Sequence, residues 1–441
     1  MNRRELLAAV AAIGMIPAAR AHAQAGDLRS AAREAWLYGL PLIEMAGARG
    51  RMLAGGRGAQ PAAVNSFRHT RELATDKSRA ITAPNNDTLY SAAWVDLTKG
   101  PATLTIPATG ARYISVAGMN MYTDNDFVLG TRTCGGAGGR YTIVGPGQAG
   151  SGPDVVRLAT PHGWILARIL VDGPGDLPAV HKVQDALTLS GPTGAAPPAY
   201  ATRAAPAGEY FAAVAQLLKA DPPPATDGAL FARAAPLGLT ARGGFDPKRF
   251  DAAAMAEIEA GVADARKALQ GIRPGAVVNG WSYPRGTLGF FSQDYLFRAA
   301  VALAGLAALP PAEAMYLQPV ADQGRMITGV GPYRLHFDAD KLPAVDAFWS
   351  LTMYEATPEG QFFLVPNPID RFSIGDRTPG LKKNADGSLD IWIARADPGG
   401  DRSANWLPAP AKGPFSLSFR AYLPNERFRD GTYRLPALQA G

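Results

Sequence analysis

The segment Tyr113-Ile-Ser-Val-Ala-Gly-Met-Asn-Met-Tyr122 is an apolar, strand-like run, and the turn Gly130-Thr-Arg-Thr133 follows it. A second copy lies in the other half of the chain, where Phe348-Trp-Ser-Leu-Thr-Met-Tyr354 precedes Gly375-Asp-Arg-Thr378. In both copies a strand that ends in Met-Tyr is followed by a Gly-x-Arg-Thr turn. Two copies at irregular spacing predict two related β-modules rather than a solenoid, whose repeats are shorter and more numerous.

The regions around the two copies support this division. An acidic-basic-proline loop precedes each copy, Val95-Asp-Leu-Thr-Lys-Gly-Pro101 in the first and Phe337-Asp-Ala-Asp-Lys-Leu-Pro343 in the second. The chain of 441 residues exceeds what one hydrophobic core usually supports, so two or three domains are expected. Its 49 glycines and 37 prolines are typical of many short strands joined by turns.

The pattern of elements divides the chain further. Strand-type alternation, as in Arg140-Tyr-Thr-Ile-Val144, characterises two regions. Between them Met255, Ile258 and Val262 recur at helical spacing. The predicted parts are a signal peptide at 1–25, an N-terminal helical segment and loop at 26–82, the first β-module at 83–200, a helical middle segment at 201–311 and the second β-module at 312–441.

The first 25 residues have the features of a secretory signal. Arg3 and Arg4 form a basic start. An apolar stretch from Leu6 to Ala19 is too short to span a bilayer, and small residues at Ala21-His-Ala23 or Ala23-Gln-Ala25 offer cleavage positions. The paired arginines leave the twin-arginine route open beside the Sec route, and a retained anchor is the alternative. We therefore predict a periplasmic or secreted protein with no membrane span after signal removal.

Several classes of function are disfavoured by what the sequence lacks. A formal net charge of +6 without a Lys/Arg cluster does not predict a nucleic-acid partner. Cys134 is the only cysteine, so no internal disulfide forms, and no catalytic signature surrounds it. The histidines have no HExxH spacing, and the chain lacks a Gly-x-Ser-x-Gly elbow and a Walker-type loop. Gly145-Pro-Gly-Gln-Ala-Gly150 spells GxGxxG, but no helix can start after it. We predict no cofactor and no metal.

Five long segments resemble a known pair of bacterial families. They are Pro84–Tyr90, Val171–His181, Ala347–Tyr354, Asn367–Leu381 and Asn405–Pro408. The sequence is similar to the domain of unknown function numbered 1254 followed by its usual companion numbered 1214, over nearly the whole mature chain. The resemblance implies an α+β, β-rich fold with two tandem antiparallel β-sandwich, jelly-roll-like modules, an N-terminal helix and a helical middle segment. It implies no activity.

The densest polar segment is Pro84-Asn-Asn-Asp-Thr-Leu-Tyr90, where a loop enters a predicted strand. Asp87 is a candidate general base or acid, and Asn85 and Asn86 are candidates that steer substrate oxygens. Tyr90 is a candidate orienting phenol. The alternative is a turn in which Asn and Asp satisfy their own backbone, the usual role of such clusters. Because the segment holds more polar groups than one turn needs, we predict a functional loop.

The second candidate is Asp370-Arg-Phe-Ser-Ile-Gly-Asp-Arg-Thr378. Its two Asp–Arg pairs can bind a carboxylate, a phosphate or sugar hydroxyls. The alternative is a buried ion-pair network that clamps the turn. The recurrence of Gly-x-Arg-Thr favours this structural role for Arg132 and Arg377, because duplicated scaffolding repeats whereas a site need not. Arg371 and Asp376 break the repeat and are predicted site residues.

Aromatic residues near strand ends and Gly/Pro loops form a third group. They are Trp281, Tyr283, Tyr295, Tyr333, Trp349, Tyr354 and Trp406. Aromatic platforms beside acids suit carbohydrate or aryl substrates, whereas core packing is the alternative. We predict Tyr333, Trp349 and Tyr354 as substrate-binding residues.

These observations support two hypotheses. The leading one is an exported hydrolase for a polar, aryl or carbohydrate small molecule, with Asp87 and Asp376 as an acid/base pair if folding draws both into one cleft. Arg334 and Arg371 would clamp an anion or hydroxyls. The alternative is a non-enzymatic envelope binding or structural assembly protein, because fold does not specify function. A homo-oligomer is left open.

Overall fold

The computed structural model describes residues 3–55, 60–194, 196–272, 275–320, 327–329 and 331–441, with side chains from residue 27 onward. Residues 1 and 2 of the predicted signal peptide lie outside the described residues, and the rest of it belongs to the first helix, where only the backbone is described. The helices are α1 Arg3–Ala54, α2 Thr131–Cys134, α3 Leu177–Ala186, α4 Ala207–Ala220, α5 Gly228–Ala234, α6 Ala252–Gln270, α7 Tyr295–Ala304 and α8 Glu426–Asp430. Short 3-10 helices lie at Pro174–Asp176, Ala225–Asp227, Ala235–Leu237, Pro247–Arg249 and Gly400–Asn405.

The first module is a two-layered β-structure. Its strands are β1 Arg68–His69, β2 Thr88–Asp96, β3 Ala102–Ile106, β4 Ile114–Asn120, β5 Asn125–Gly130, β6 Gly139–Val144, β7 Val155–Arg157, β8 His162–Leu170 and β9 Thr188–Ser190. One sheet has the order β1-β2-β8-β4-β5 and the other β7-β6-β3-β9. Side chains such as Leu89, Leu104 and Ile165 fill the core between them. Since β1 pairs with β2, this module begins before residue 83.

The second module has the same two layers. Its strands are β10 Val277–Val278, β11 Trp281–Ser282, β12 Ala314–Pro319, β13 Tyr333–Phe337, β14 Val345–Ala356, β15 Phe362–Leu364, β16 Ser373–Gly375, β17 Leu389–Ala394, β18 Trp406–Pro408, β19 Phe415–Pro424 and β20 Gln439–Ala440. One sheet has the order β10-β11-β12-β19-β14-β15, with β16 also paired to β14, and the other β18-β17-β13-β20. Leu317, Leu335 and Phe419 lie in the core between them. Strands β10 and β11 extend this sheet to residues before 312.

One strand topology therefore occurs twice. The order β1-β2-β8-β4-β5 of the first module corresponds to β11-β12-β19-β14-β16 of the second. The order β7-β6-β3-β9 corresponds to β18-β17-β13-β20. Even the parallel pair at one edge recurs, as β6 with β7 and as β17 with β18, while the other pairings are antiparallel. The prediction of an α+β, β-rich fold with two related sandwich modules is confirmed.

Two details of the predicted repeat are wrong. The loop Val95–Pro101 joins β2 to β3, whereas Phe337–Pro343 joins β13 to β14, so these loops are not equivalent. Ser115 and Ser350 occupy the same place in their sheets, and counting from them puts Met121 and Met353 at different positions. Only the start of the strand and the Gly-x-Arg-Thr turn correspond.

The helices form a separate layer with its own core. The long helix α1 packs against α4, α5, α6 and α7. Trp36 of α1 stacks on Tyr210 of α4 with ring centroids 5.5 Å apart, and the Tyr210 hydroxyl donates to the Trp36 carbonyl at 2.8 Å. Asp251 accepts the Ala254 N–H and so caps α6. The N-terminal helix and the middle segment are thus one unit. Among the described helices, none combines the length and apolarity that a membrane span requires.

Candidate functional site between the two modules

Two matching rows of side chains cross the larger sheets of the modules. The first polar row is Tyr90, Arg168, Ser115 and Gly130, and the second polar row is Tyr316, Arg420, Ser350 and Gly375. In the first, Arg168 of β8 pairs with Tyr90 of β2 and with Ser115 of β4. The second has the same pairings around its arginine on β19, with partners on β12 and β14. Each serine is paired with its glycine.

The two rows place buried arginines beside tyrosine rings. The Arg168 guanidinium lies 5.5 Å from the centre of the Tyr90 ring, and that of Arg420 lies 5.9 Å from the Tyr316 ring. Both arginines are at least 95% buried. Tyr90 and Tyr316 are half-buried although they occupy central strands. The face that carries these rows is opposite to the module core, because side chains alternate along a strand.

The Gly-x-Arg-Thr turns at the ends of the rows have one local structure. A Cβ on Gly130 would lie 2.1 Å from the Ile114 carbonyl oxygen, and a Cβ on Gly375 would lie 2.1 Å from that of Trp349. The threonine hydroxyl of each turn accepts the glycine N–H, at 3.0 Å in the first module and 2.9 Å in the second. Only glycine permits this approach, so both turns keep it.

The arginines of the two turns each reach an acid of the other module. Arg132 donates to Glu313 at 2.7 Å, and an Arg377 nitrogen lies 4.0 Å from the Asp87 carboxylate. The two acids are equivalent, since each stands three residues before the tyrosine of its row. Burial raises the pKa of Glu313, although Arg132 opposes the shift. The modules are therefore joined by two reciprocal arginine–acid contacts.

The loop before β2 is fixed by the second module. Ser350 donates to the Asp87 carboxylate at 2.7 Å, and Asn85 donates to the Tyr422 hydroxyl at 2.6 Å. The Ser373 hydroxyl donates to the Asn86 side chain at 3.0 Å. Asp87 is only 4% exposed. The predicted polar loop therefore lies at the interface of the modules, with its carboxylate enclosed.

Asp376 lies next to the contact between Arg377 and Asp87 and is more exposed to solvent than Asp87. Its carboxylate accepts the Trp349 N–H at 3.3 Å and lies 4.0 Å from the Arg377 Nε. Burial raises the pKa of Asp376 to about 6, the Trp349 N–H and Arg377 oppose the shift, and Asp87 adds to it. The side chain keeps 34% exposure. Folding thus brings Asp87 and Asp376 together on either side of Arg377.

Tyr354 is also part of this cluster. Its hydroxyl donates to the Pro84 carbonyl at 2.7 Å and accepts from Arg420 at 2.6 Å. Arg420 also donates to the Thr352 hydroxyl at 2.5 Å. Burial raises the pKa of Tyr354, and Arg420 opposes the shift. This phenol ties the second polar row to the loop of the first module.

Four predicted site residues lie elsewhere. Arg334 lies on β13 and donates a hydrogen bond to the Asp390 carboxylate at 2.6 Å. Tyr333 packs edge-on against Phe415, with ring centroids 6.0 Å apart. Trp349 stacks on Phe419 at 5.5 Å inside the module core, and Arg371 donates to the carbonyls of Ala404 and Trp406. The structure gives these four side chains contacts within the second module and does not bring them to the polar rows.

Sequence reasoning did not single out several residues of the cluster. They are Arg168, Glu313, Tyr316, Ser350, Arg420 and Tyr422. A signal existed for the arginines, since each is a charged residue inside an apolar strand, Trp-Ile-Leu-Ala-Arg168 and Leu-Ser-Phe-Arg420. A charge at such a position is buried and needs partners. Among the described side chains, no group of three or more His, Cys, Asp or Glu could hold a metal ion.

Family comparisons agree with the two-module structure. Residues 64–191 match the family described as a protein of unknown function (DUF1254), and residues 313–426 match the one described as a protein of unknown function (DUF1214). The chain belongs to the proteins that pair these two domains. The match to DUF1254 includes the first polar row, and the match to DUF1214 includes the second, so the candidate site lies where the two domains meet.

A solved structure shows the same fold. The VPA0106 protein from Vibrio parahaemolyticus is similar with a TM-score of 0.70 and 22% identity, over 94% of this chain and 100% of that chain. An uncharacterised protein from Burkholderia cenocepacia gives a TM-score of 0.44 and 14% identity, over 92% of this chain and 93% of that one. No curated protein matches the sequence.

Proposed function

We propose that this chain is an exported hydrolase-like enzyme in which Asp376 is the acid/base group and Arg377 holds the substrate. The observation that carries the proposal is the difference between two equivalent turns. In the first module the position of Asp376 is occupied by Thr131, whose hydroxyl accepts the Ile114 N–H at 2.9 Å. Asp376 accepts the equivalent N–H of Trp349. Because threonine suffices for that bond, the carboxylate exceeds what the turn requires.

The environment of Asp376 suits proton transfer. A pKa of about 6 lets the group exchange protons near neutral pH, where a general acid or base works best. Its side chain keeps contact with solvent, unlike Asp87. Perturbed carboxyl groups beside a cation are common at functional sites. These features favour Asp376 over Asp87 as the reacting group.

Arg377 supplies the second function. Its Nη1 donates to the Val171 carbonyl at 3.1 Å, and its guanidinium covers the Phe348 ring at 4.3 Å. Nε is buried and has no hydrogen-bond partner among the described residues. A guanidinium held in this way can donate to the oxyanion that develops during acyl transfer. Asp87 is then a positioning residue, since it touches Arg377 and Ser350 but not solvent.

The chemistry follows from these positions. Ionised Asp376 accepts a proton as water attacks the substrate carbon, and the carbon–oxygen bond to water forms. The intermediate collapses, the bond to the leaving group breaks, and protonated Asp376 returns the proton to that group. Arg377 stabilises the negative charge in between. Esters and amides of polar small molecules are the substrate classes that this arrangement can serve.

The test is turnover by the mature protein on a panel of chromogenic esters, amides and glycosides. Asp376→Thr copies the turn of the first module, so it keeps the backbone bond and removes the carboxylate. We expect kcat/KM to fall about 100-fold or more for any substrate found. The melting temperature should stay within a few degrees.

Asp338→Asn is the matched control, because Asp338 is a half-exposed carboxylate of the same module that pairs with Lys341. It should leave turnover unchanged. Wild-type turnover in Asp376→Thr would rule out the proposed role. Absence of hydrolysis across the panel would favour the alternative of an envelope binding or assembly protein.

A further inference from the structure

We propose that Arg168 anchors the oxyanion group of a small molecule, a carboxylate or a phosphate, in a site between the two polar rows. The proposal concerns binding and does not depend on the hydrolase function or on Asp376. It rests on three observations: the unused donors of Arg168, the contrast with its equivalent Arg420, and the half-buried tyrosine rings beside both.

Arg168 is a buried cation with donors left over. It is 5% exposed, and its Nη2 donates to the Ala307 carbonyl at 2.7 Å. Its Nε and Nη1 are buried and have no hydrogen-bond partner among the described residues. No carboxylate of the described residues lies within 4.0 Å of it. A buried charge without a counterion is unfavourable, and a bound anion would remove that cost.

The nearby acid does not fill this role. Glu313 lies close enough for Arg168 to favour its ionised form. However, one Glu313 oxygen accepts from Tyr113 at 3.0 Å and the other from Arg132 at 2.7 Å. Arg298 of the helical layer, which is also buried, pairs with Asp124 at 3.0 Å, although its Nε and Nη1 likewise have no partner among the described residues. Arg168 differs from it in lacking a direct acidic partner.

Arg420 shows what a structural arginine does at the same place. Its guanidinium donates to the hydroxyls of Thr352 and Tyr354. Arg168 occupies the equivalent position in the strand register, but its only hydrogen bond among the described residues is to the Ala307 carbonyl. Two equivalent positions with different partners indicate that the first is not simply an element of the scaffold.

The tyrosines define the space in front of Arg168. Tyr90 and Tyr316 are half-buried although they lie on central strands, so part of each side chain is in contact with solvent. Tyr422 lies behind them, stacked on Phe348 at 4.1 Å, with no exposure. Hydroxyl donors close to a guanidinium match an oxyanion, and the ring faces suit an apolar body attached to it.

Calorimetric titration of the mature protein with sodium acetate, sodium benzoate and inorganic phosphate, at constant ionic strength, tests the site. We expect saturable binding of at least one oxyanion. Benzamide, the neutral analogue of benzoate, should bind at least tenfold more weakly. Arg168→Met should reduce the affinity at least tenfold, and Arg168→Lys less, because it keeps the charge. The benzoate and phosphate titrations decide between a carboxylate and a phosphate.

Arg402→Met is the control, since Arg402 is an exposed arginine that covers Trp392 at 4.7 Å in the second module. It should bind as the wild type does. If Arg168→Met fails to fold, Tyr90→Phe provides the second variant and should weaken binding about threefold or more. No saturable binding of any oxyanion would overturn the proposal, as would unchanged affinity in a folded Arg168→Met.

Discussion

The two modules share one row of side chains, yet the rows are used differently. The glycine, the serine, the arginine and the tyrosine recur in the same strand register. The partners of the arginines do not recur, and neither does the residue after the glycine, Thr131 in one turn and Asp376 in the other. The comparison teaches that the shared strand register and the turn glycines are scaffold. The departures from them are where function is to be sought.

Physical constraints explain which part is common. The glycine avoids a clash with a carbonyl, and the turn threonine accepts an N–H that would otherwise be unpaired. These needs follow from the backbone, so both modules meet them in the same way. The partners of the buried guanidinium groups instead depend on what surrounds each row, since Arg420 donates to Thr352 and Tyr354 of its own module and Arg168 to Ala307 of the helical segment.

Replacing the two buried arginines should separate scaffold from site most strongly. Arg420→Met leaves the hydroxyls of Thr352 and Tyr354 without a donor, and we expect a loss of about 3 kcal/mol in the free energy of unfolding. Arg168→Met removes a charge that makes only one hydrogen bond, to the Ala307 carbonyl, so the free energy of unfolding should fall by no more than about 1 kcal/mol. Urea denaturation measures both. Equal losses would mean that Arg168 is scaffold as well.

The turn glycines should both resist substitution, because a Cβ on either would lie 2.1 Å from a carbonyl oxygen; Gly130 also has a φ of 133°, so its replacement should cost somewhat more. We expect Gly130→Ala and Gly375→Ala each to destabilise the protein by about 2–3 kcal/mol, since the new methyl overlaps a backbone carbonyl. Gly286→Ala is the control, as a Cβ there would meet nothing within 4 Å. Thermal and urea unfolding report the effect. If the losses in unfolding free energy of the two variants differed by more than about twofold, the two turns would not be structurally equivalent.

The serines of the rows should respond differently. Ser350→Ala removes the hydrogen bond to the buried Asp87 carboxylate and should cost about 1.5–3 kcal/mol. The Ser115 hydroxyl is buried and, among the described residues, has no partner of standard geometry. Ser115→Ala should therefore be neutral within about 0.5 kcal/mol. A similar cost for both would show that the two acids are held in the same way.

The smallest expected effect is on the pH dependence of stability. The ordinary pKa of an aspartate is about 3.9, and the pKa of folded Asp376 is about 6. The folded protein therefore binds a proton that the unfolded chain does not, so this group lowers stability as the pH rises from about 4 to 6. Asp376→Thr should melt at or above the wild-type temperature at pH 7.5. The difference should shrink at pH 4, and an opposite trend would contradict the raised pKa.

The sequence predicted the repeated module from its turns. Gly-x-Arg-Thr is detectable because one short segment contains both the glycine that permits close approach and the threonine that closes the turn. The loop around Asp87 was detectable for a similar reason, since its polar groups are consecutive. Local requirements leave a local pattern, and strands read from such patterns led to the correct fold class.

The rows themselves could not be predicted. Tyr90, Ser115 and Arg168 come together only through the register of three strands, which no short segment records. For the same reason Trp349, which the sequence predicted as a substrate-binding residue, lies in the core of the second module. A strand turns successive side chains to opposite sides, so Ser350 faces the other module while its neighbour Trp349 faces the core. Arg334 and Tyr333 likewise lie on β13, which belongs to the smaller sheet of the second module and not to the sheet that carries the polar row.

The titration of Asp376 can be followed without knowing a substrate. Carbon-detected NMR of the aspartate-labelled protein, with Asp376→Thr used to assign the carboxyl signal, gives its pKa. If this carboxylate exceeds the needs of the turn and serves proton transfer, its midpoint lies near pH 6. A midpoint near pH 4, the value of an ordinary surface aspartate, would contradict the difference between the two turns on which the proposed function rests.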